Sequence, residues 1–157
     1  MTDEDIRTYT ARISGANPTQ LVVVMYDMAA DYFSSAVNFL KEGNKKEFSV
    51  NISRGRRVIN NLNSCLDMQY PVSAQLSSIY MYMIRAAVHA NAVYDTSDIE
   101  KCIQMLKKLS KAYGEVAAQD TRSSVMTNTQ QVYAGFTYGK GELNETVSSE
   151  YNRGYTV

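Results

Sequence analysis

Between Pro18 and Ala118 an apolar repeat of three and four residues runs through the chain, and only Gly43, Gly55, Pro71 and Gly114 interrupt it. That spacing is the period of an amphipathic α-helix; a half-buried strand would alternate every second residue. Four helical stretches fit the repeat. The first runs from Pro18 to about Lys41. Asn17 is a good N-cap, Pro18 takes the first helical position, and Gln20 stands at capping-box distance. Leu21, Met25, Met28, Tyr32, Ser35 and Phe39 form one stripe, and Val22, Ala29, Phe33, Ala36 and Leu40 form a second beside it. Two stripes make a wide apolar face that must be covered from two sides. Gly43 suits the residue just past the helix end.

The second stretch runs from Lys45 to about Leu66, with Asn44 and Glu47 at capping-box spacing. Phe48, Ile52, Gly55, Ile59, Leu62 and Leu66 make its seam. A glycine inside a helix costs about 1 kcal/mol relative to alanine, so Gly55 predicts a close helix contact. Arg54, Arg56 and Arg57 flank it and read as a solvated face, with an acidic partner or a phosphate as the alternative. After Pro71, a third stretch from Ser73 to about Tyr94 carries Leu76, Ile79, Tyr80, Met83, Ala87, Ala90 and Tyr94 on one side. Tyr80, Met81, Tyr82 and Met83 are consecutive, so part of that group must leave the seam and cover a neighbour or stand open. The fourth stretch starts at a third capping-box spacing, Ser97 and Glu100, and ends near Ala118, with Ile99, Cys102, Leu106, Leu109, Tyr113 and Val116 in register. Lys101, Lys107, Lys108 and Lys111 lie off that seam and read as solvated. Four helices joined by short loops must reverse direction at each loop. The expected fold is therefore all-α, an antiparallel up-down four-helix bundle.

A chain of 157 residues points to one domain. Its organisation reads as an N-terminal strap over residues 1–17, the bundle over 18–118, and a Tyr-, Gly- and Ser-rich tail over 119–157. In the tail, Tyr133, Phe136 and Tyr138 lie among glycines, which suits an extended segment, either a mobile tail or one docking on the bundle or a partner. Lys plus Arg and Asp plus Glu both number 16, so the net charge is zero, which argues against general nucleic-acid binding. No apolar run reaches the ~20 residues of a membrane span, and the acidic start, Asp3-Glu4-Asp5, is unlike a secretory signal; a cytoplasmic location without membrane insertion is expected.

Little in the sequence points to catalysis. Cys65 and Cys102 read as two buried thiols and His89 as an ordinary helix residue. A di-iron site in a bundle would need Glu-x-x-His motifs, and none occurs. Asp27 and Asp31 share a helix face and could pair with a cation, but a solvated or salt-bridged face is the simpler reading. Gly139-Lys140-Gly141 lacks the spacing of a phosphate loop. The expectation is a non-enzyme with no cofactor and no metal. Twelve tyrosines and eight methionines suit an adaptable contact surface instead.

Three segments carry a family resemblance. Asn17-Pro18-Thr19-Gln20-Leu21-Val22 leading to Val24-Met25-Tyr26-Asp27 resembles the first bundle helix of the flagellin-specific secretion chaperones of bacterial flagella. Leu62-Asn63-Ser64-Cys65-Leu66-Asp67 is similar to their Ser-Leu-Asp helix end, and Ile79 to Arg85 followed by His89-Ala90-Asn91 to their third-helix signature. The order and spacing agree across about residues 6–118. This resemblance implies a helical bundle that binds the disordered C-terminal segment of flagellin along apolar grooves, keeps it from polymerising, and brings it to an export-gate component. It implies, too, an N-terminal segment that covers part of the groove and yields to flagellin. On this sequence the groove residues are Leu21, Val24, Met25, Tyr26, Met28, Ile79, Tyr80, Tyr82, Met83 and Asn91, with Tyr26 and Tyr82 expected on the open side. Ile6, Tyr9 and Ile13 are the covering strap. Three departures stand out. Gly15-Ala16-Asn17-Pro18 replaces Thr-Ala-Ser-Pro, Met28 stands where glycine is usual, and the tail is longer. The alternative from the residues alone is a generic helical adaptor, or a module that homodimerises through the same surface without a client.

Overall fold

The computed structural model describes residues 3–126, and these form five helices with no strand among them. They are α1 (Asp3–Ser14), α2 (Pro18–Lys41), α3 (Lys45–Ser64), α4 (Pro71–Val93) and α5 (Ser97–Ala117). The expected aromatic segment of the tail lies outside the described residues.

Local chemistry sets most boundaries. At the start of α2 the Asn17 side chain accepts from the Gln20 N–H at 2.8 Å, and the Gln20 side chain accepts from the Asn17 N–H at 3.0 Å, a complete capping box. Past its end Gly43 takes φ +76°, a left-handed turn in which a Cβ would be strained. Asn44 caps α3 by accepting from the Glu47 N–H at 3.1 Å.

Two starts differ from expectation. α4 begins at Pro71 rather than Ser73, because proline fits the first turn of a helix without losing a bond. Ser73 is buried and donates instead to the Asp67 carbonyl at 2.6 Å. α5 has no capping box: Thr96 is the cap position and makes no side-chain cap bond, while the Ser97 hydroxyl donates to Asp95. The largest difference is α1. The strap is itself helical, with Glu4 and Asp5 in its first turn and Arg12 in its last, the charge order the helix dipole favours.

α2 packs between α3 and α5, and α4 closes the far side against the same two helices. Side-chain pairs show the direction of each. Tyr26, early in α2, meets Tyr113, late in α5, with ring centroids 5.4 Å apart. Phe48, early in α3, meets Tyr94 at the end of α4 at 5.8 Å. The bundle is therefore antiparallel. Tyr26, Phe33, Phe48, Ile52, Ile59, Tyr80, Met83, Ile99 and Leu106 fill its core. Each such side chain contributes roughly 1.5–3 kcal/mol by leaving water.

Gly55 makes the close contact its position predicts. A Cβ there would stand 2.5 Å from a ring carbon of Phe33, so α3 approaches α2 closely only because this residue is glycine. The expectation of two buried thiols holds for Cys102 and fails for Cys65, which ends α3 at the surface.

Candidate functional site

The site is built on α2. Residues two apart on a helix point to nearly opposite sides. Tyr26 faces the bundle core, so Val24 should face out, and it lies outside the core cluster. Yet Val24 is only 3% exposed. It lies between α1 and the end of α5: Val24 shares a cleft with Arg12, Gly15 and Ala16 on one side and Gly114, Ala117 and Ala118 on the other. Leu21, Val24 and Met28 repeat at three and four residues along this outer side, and Leu21 and Met28 are half-buried and also outside the core cluster. α2 thus has two apolar faces. One is the core of the bundle, and the other lies on the side where α1 docks.

Tyr9 and Arg12 both anchor α1 there. Tyr9 is buried and its hydroxyl donates to the Asp31 carboxylate at 2.5 Å. Burial, then the Asp31 carboxylate, push the Tyr9 hydroxyl well above its ordinary value, so it stays a donor. One turn away Arg12 pairs with Asp27 at 2.6 Å, and its guanidinium lies 5.5 Å from the Tyr9 ring centre. Asp27 in turn accepts from the Ser110 hydroxyl of α5 at 2.6 Å. The Arg12 and Asp27 side chains are 40% and 32% exposed, so water and salt screen the pair to about 0–1 kcal/mol. Ile13 is half-buried and Ile6 is exposed. A buried aromatic, a strong hydrogen bond and a partly exposed ion pair are among the contacts that dock α1 on α2. The Asp27 and Asp31 pair is therefore the receiver of α1. No group of three His, Cys, Asp or Glu residues that could hold a metal occurs among the described residues.

The other expected groove residues separate into two sets. Tyr80 and Met83 are core. Tyr26, expected on the open side, is core as well, and its hydroxyl is hydrogen-bonded to that of Tyr80. A phenol can be buried this way because its one polar atom finds a partner within the bundle. Burial is the main cause that raises the pKa of both. Met25, Ile79 and Tyr82 are half-buried beside the core, with the Tyr82 hydroxyl 3.5 Å from Asp98. Asn91 is exposed.

The structure adds one surface the sequence expectation lacks. On α4, Met81, Ile84 and Val88 follow helical spacing, with Met81 and Val88 exposed and Ile84 half-buried. The signal was in the sequence, since Ile84 and Val88 continue the line from Met81 by one and two turns, but the adjacent Tyr-Met run hides it.

A family profile described as flagellar protein FliS matches residues 4–120. The flagellar secretion chaperone FliS of Salmonella typhimurium is 28% identical over 108 residues, 67% of this chain and 80% of that protein. Its namesake from Escherichia coli is 26% identical over 106 residues, 66% of this chain and 78% of that protein. The one from Bacillus subtilis is 25% identical over 84 residues, 54% and 63% respectively.

Proposed function

From the premise that this chain belongs to the FliS family of flagellar proteins, we propose that it is a cytoplasmic chaperone for flagellin, holding the disordered C-terminal segment of that protein until export. The observation that carries this reading is the second apolar face of α2. Leu21, Val24 and Met28 make an apolar stripe outside the core cluster, and the short helix α1 lies on that side.

An amphipathic client segment that folds on the bundle would bury the same stripe with its own apolar residues, the helix-in-groove mode of recognition. α1 and the client then compete for one face. Tyr9 and Ile13 act as a resident ligand, and Asp27 and Asp31 hold it through groups that water can replace. Tyr26 lies in the core beneath this face, Met25 flanks it, and Ile79, Tyr80, Tyr82, Met83 and Asn91 stand on α4, across the bundle. Binding in this mode keeps flagellin monomeric and leaves the bundle surface free for the export gate. No step in it makes or breaks a covalent bond, and no cofactor takes part. Among the described residues no helix is long and apolar enough to cross a membrane, which agrees with a role before the export step.

The exposed line Met81, Ile84 and Val88 favours a second reading, an adaptor or homodimer that uses α4. Calorimetric titration with the flagellin C-terminal segment separates the two. Saturable one-to-one binding with a large negative heat-capacity change supports the chaperone, because coupled folding buries apolar surface. Self-association with no response to the peptide supports the second reading.

A further inference from the structure

The elbow between α1 and α2 is tied to the chain that leaves α5. Asn17 serves both sides at once: its Oδ1 caps α2, and its Nδ2 donates to the Asp120 carbonyl at 3.0 Å. Ala16 bridges the same two parts through its backbone. Its N–H donates to Ile13 in the last turn of α1 at 3.2 Å, and its carbonyl accepts from the Val125 N–H at 2.9 Å. Ala16 and Asn17 are 3% and 5% exposed, so water does not compete for these bonds. Outside them, the Asp120 carboxylate accepts from the Thr19 hydroxyl at 2.6 Å and from Arg122 at 2.7 and 2.8 Å, and Arg122 also reaches the Thr19 hydroxyl at 3.0 Å. Those contacts hold the Asp120 carboxyl well below its ordinary range. Arg122 and Val125 lie past the end of the family match.

We propose that residues 120–125 form a clasp that couples the docking of α1 to the position of the chain leaving α5, so that loosening either one loosens the other. This rests on the reading of α1 as a displaceable strap. Swinging α1 away turns the backbone at residues 15–16, and the Ala16 carbonyl cannot turn without leaving Val125. Conversely, pulling the chain beyond Asp120 draws on Asn17 and Ala16, which set the last turn of α1. Coupling of this kind is mutual by thermodynamic necessity. A partner that engaged residues 120–125 would therefore ease the opening of the client face, and a client that displaced α1 would free that segment.

The test uses hydrogen exchange on the full chain without client, so a failure to bind flagellin would not bear on it. Asn17→Ser keeps a capping oxygen but removes the donor to Asp120. Tyr9→Phe removes only the bond from α1 to Asp31, remote from the clasp. We expect each variant to speed exchange both in α1 and at the Val125 amide by about fivefold, the effect of one lost hydrogen bond, with α3 and α4 unchanged. If Asn17→Ser loosens residues 120–125 while α1 exchanges as before, or Tyr9→Phe leaves the Val125 amide as protected as in the parent, the two sides are independent and the clasp is refuted. The Tyr9→Phe arm stands even if Asn17→Ser fails to fold.

Discussion

Two glycines inside helices should respond in opposite ways to the same substitution. In Gly55→Ala, the new methyl would stand 2.5 and 2.7 Å from two ring carbons of Phe33, against an ordinary contact of about 3.5–4.0 Å. Phe33 is wholly buried, so its ring cannot move aside without displacing other core residues. Overpacking costs about 1–3 kcal/mol, and contacts this short against a ring that cannot move belong at the upper end, about 2–3 kcal/mol. Replacing a helical glycine returns about 1 kcal/mol, which is too little to compensate in full. The net expectation is a loss of about 1–2 kcal/mol, or roughly 2–8 °C in Tm for a chain of this size. In Gly114→Ala the new Cβ meets nothing within 4 Å, so only the helix gain remains, up to about 1 kcal/mol. Thermal and urea melts followed by circular dichroism read both. A Gly55→Ala chain as stable as the parent would refute the close approach of α3 to α2, and with it the packing that orients α2.

Two further outcomes follow from the burial pattern. Met28→Asp places a charge on the outer side of α2 beyond the core cluster, so it should weaken flagellin-peptide binding at least tenfold while Tm falls by no more than a few degrees; equal loss of both, by calorimetry and melting, would put Met28 in the core. At pH 8 Cys65 should react with a thiol reagent at once and Cys102 only after unfolding, because burial pushes the Cys102 thiol up to about 11. The raised value has a sign: the fold favours the neutral thiol, so this contribution is intact below the unfolded thiol pKa of about 8.5 and is lost as pH rises through about 11.

What the sequence made legible divides along physical lines. The span of α2 could be read to the residue, since Asn17, Pro18, Gln20 and Gly43 are local signals whose partners lie within a turn. The special role of Gly55 was legible for a similar reason, as a costly residue on an apolar seam. α1 was harder. Ile6, Tyr9 and Ile13 have helical spacing, but the stretch is short and polar, and its order comes from Asp27 and Asp31 across the elbow. The openness of the site residues was harder still. Periodicity shows that Tyr26 and Val24 lie on different faces of one helix, yet it cannot tell which face another helix covers. Tyr26 went to the core because Tyr80, 54 positions away, accommodates its hydroxyl. The link from Asn17 to Asp120 spans 103 positions and leaves no local trace.

In the proposed mechanism α1 and the client compete for the outer face of α2. Hydrogen exchange on the full chain, with and without a saturating flagellin C-terminal peptide, reads that competition. Peptide should speed exchange across residues 3–14 and slow it in the α2 turns around Leu21, Val24 and Met28. If the peptide binds and α1 becomes better protected, or α2 is unaffected while α4 alone gains protection, the client lies elsewhere and α1 is not its competitor.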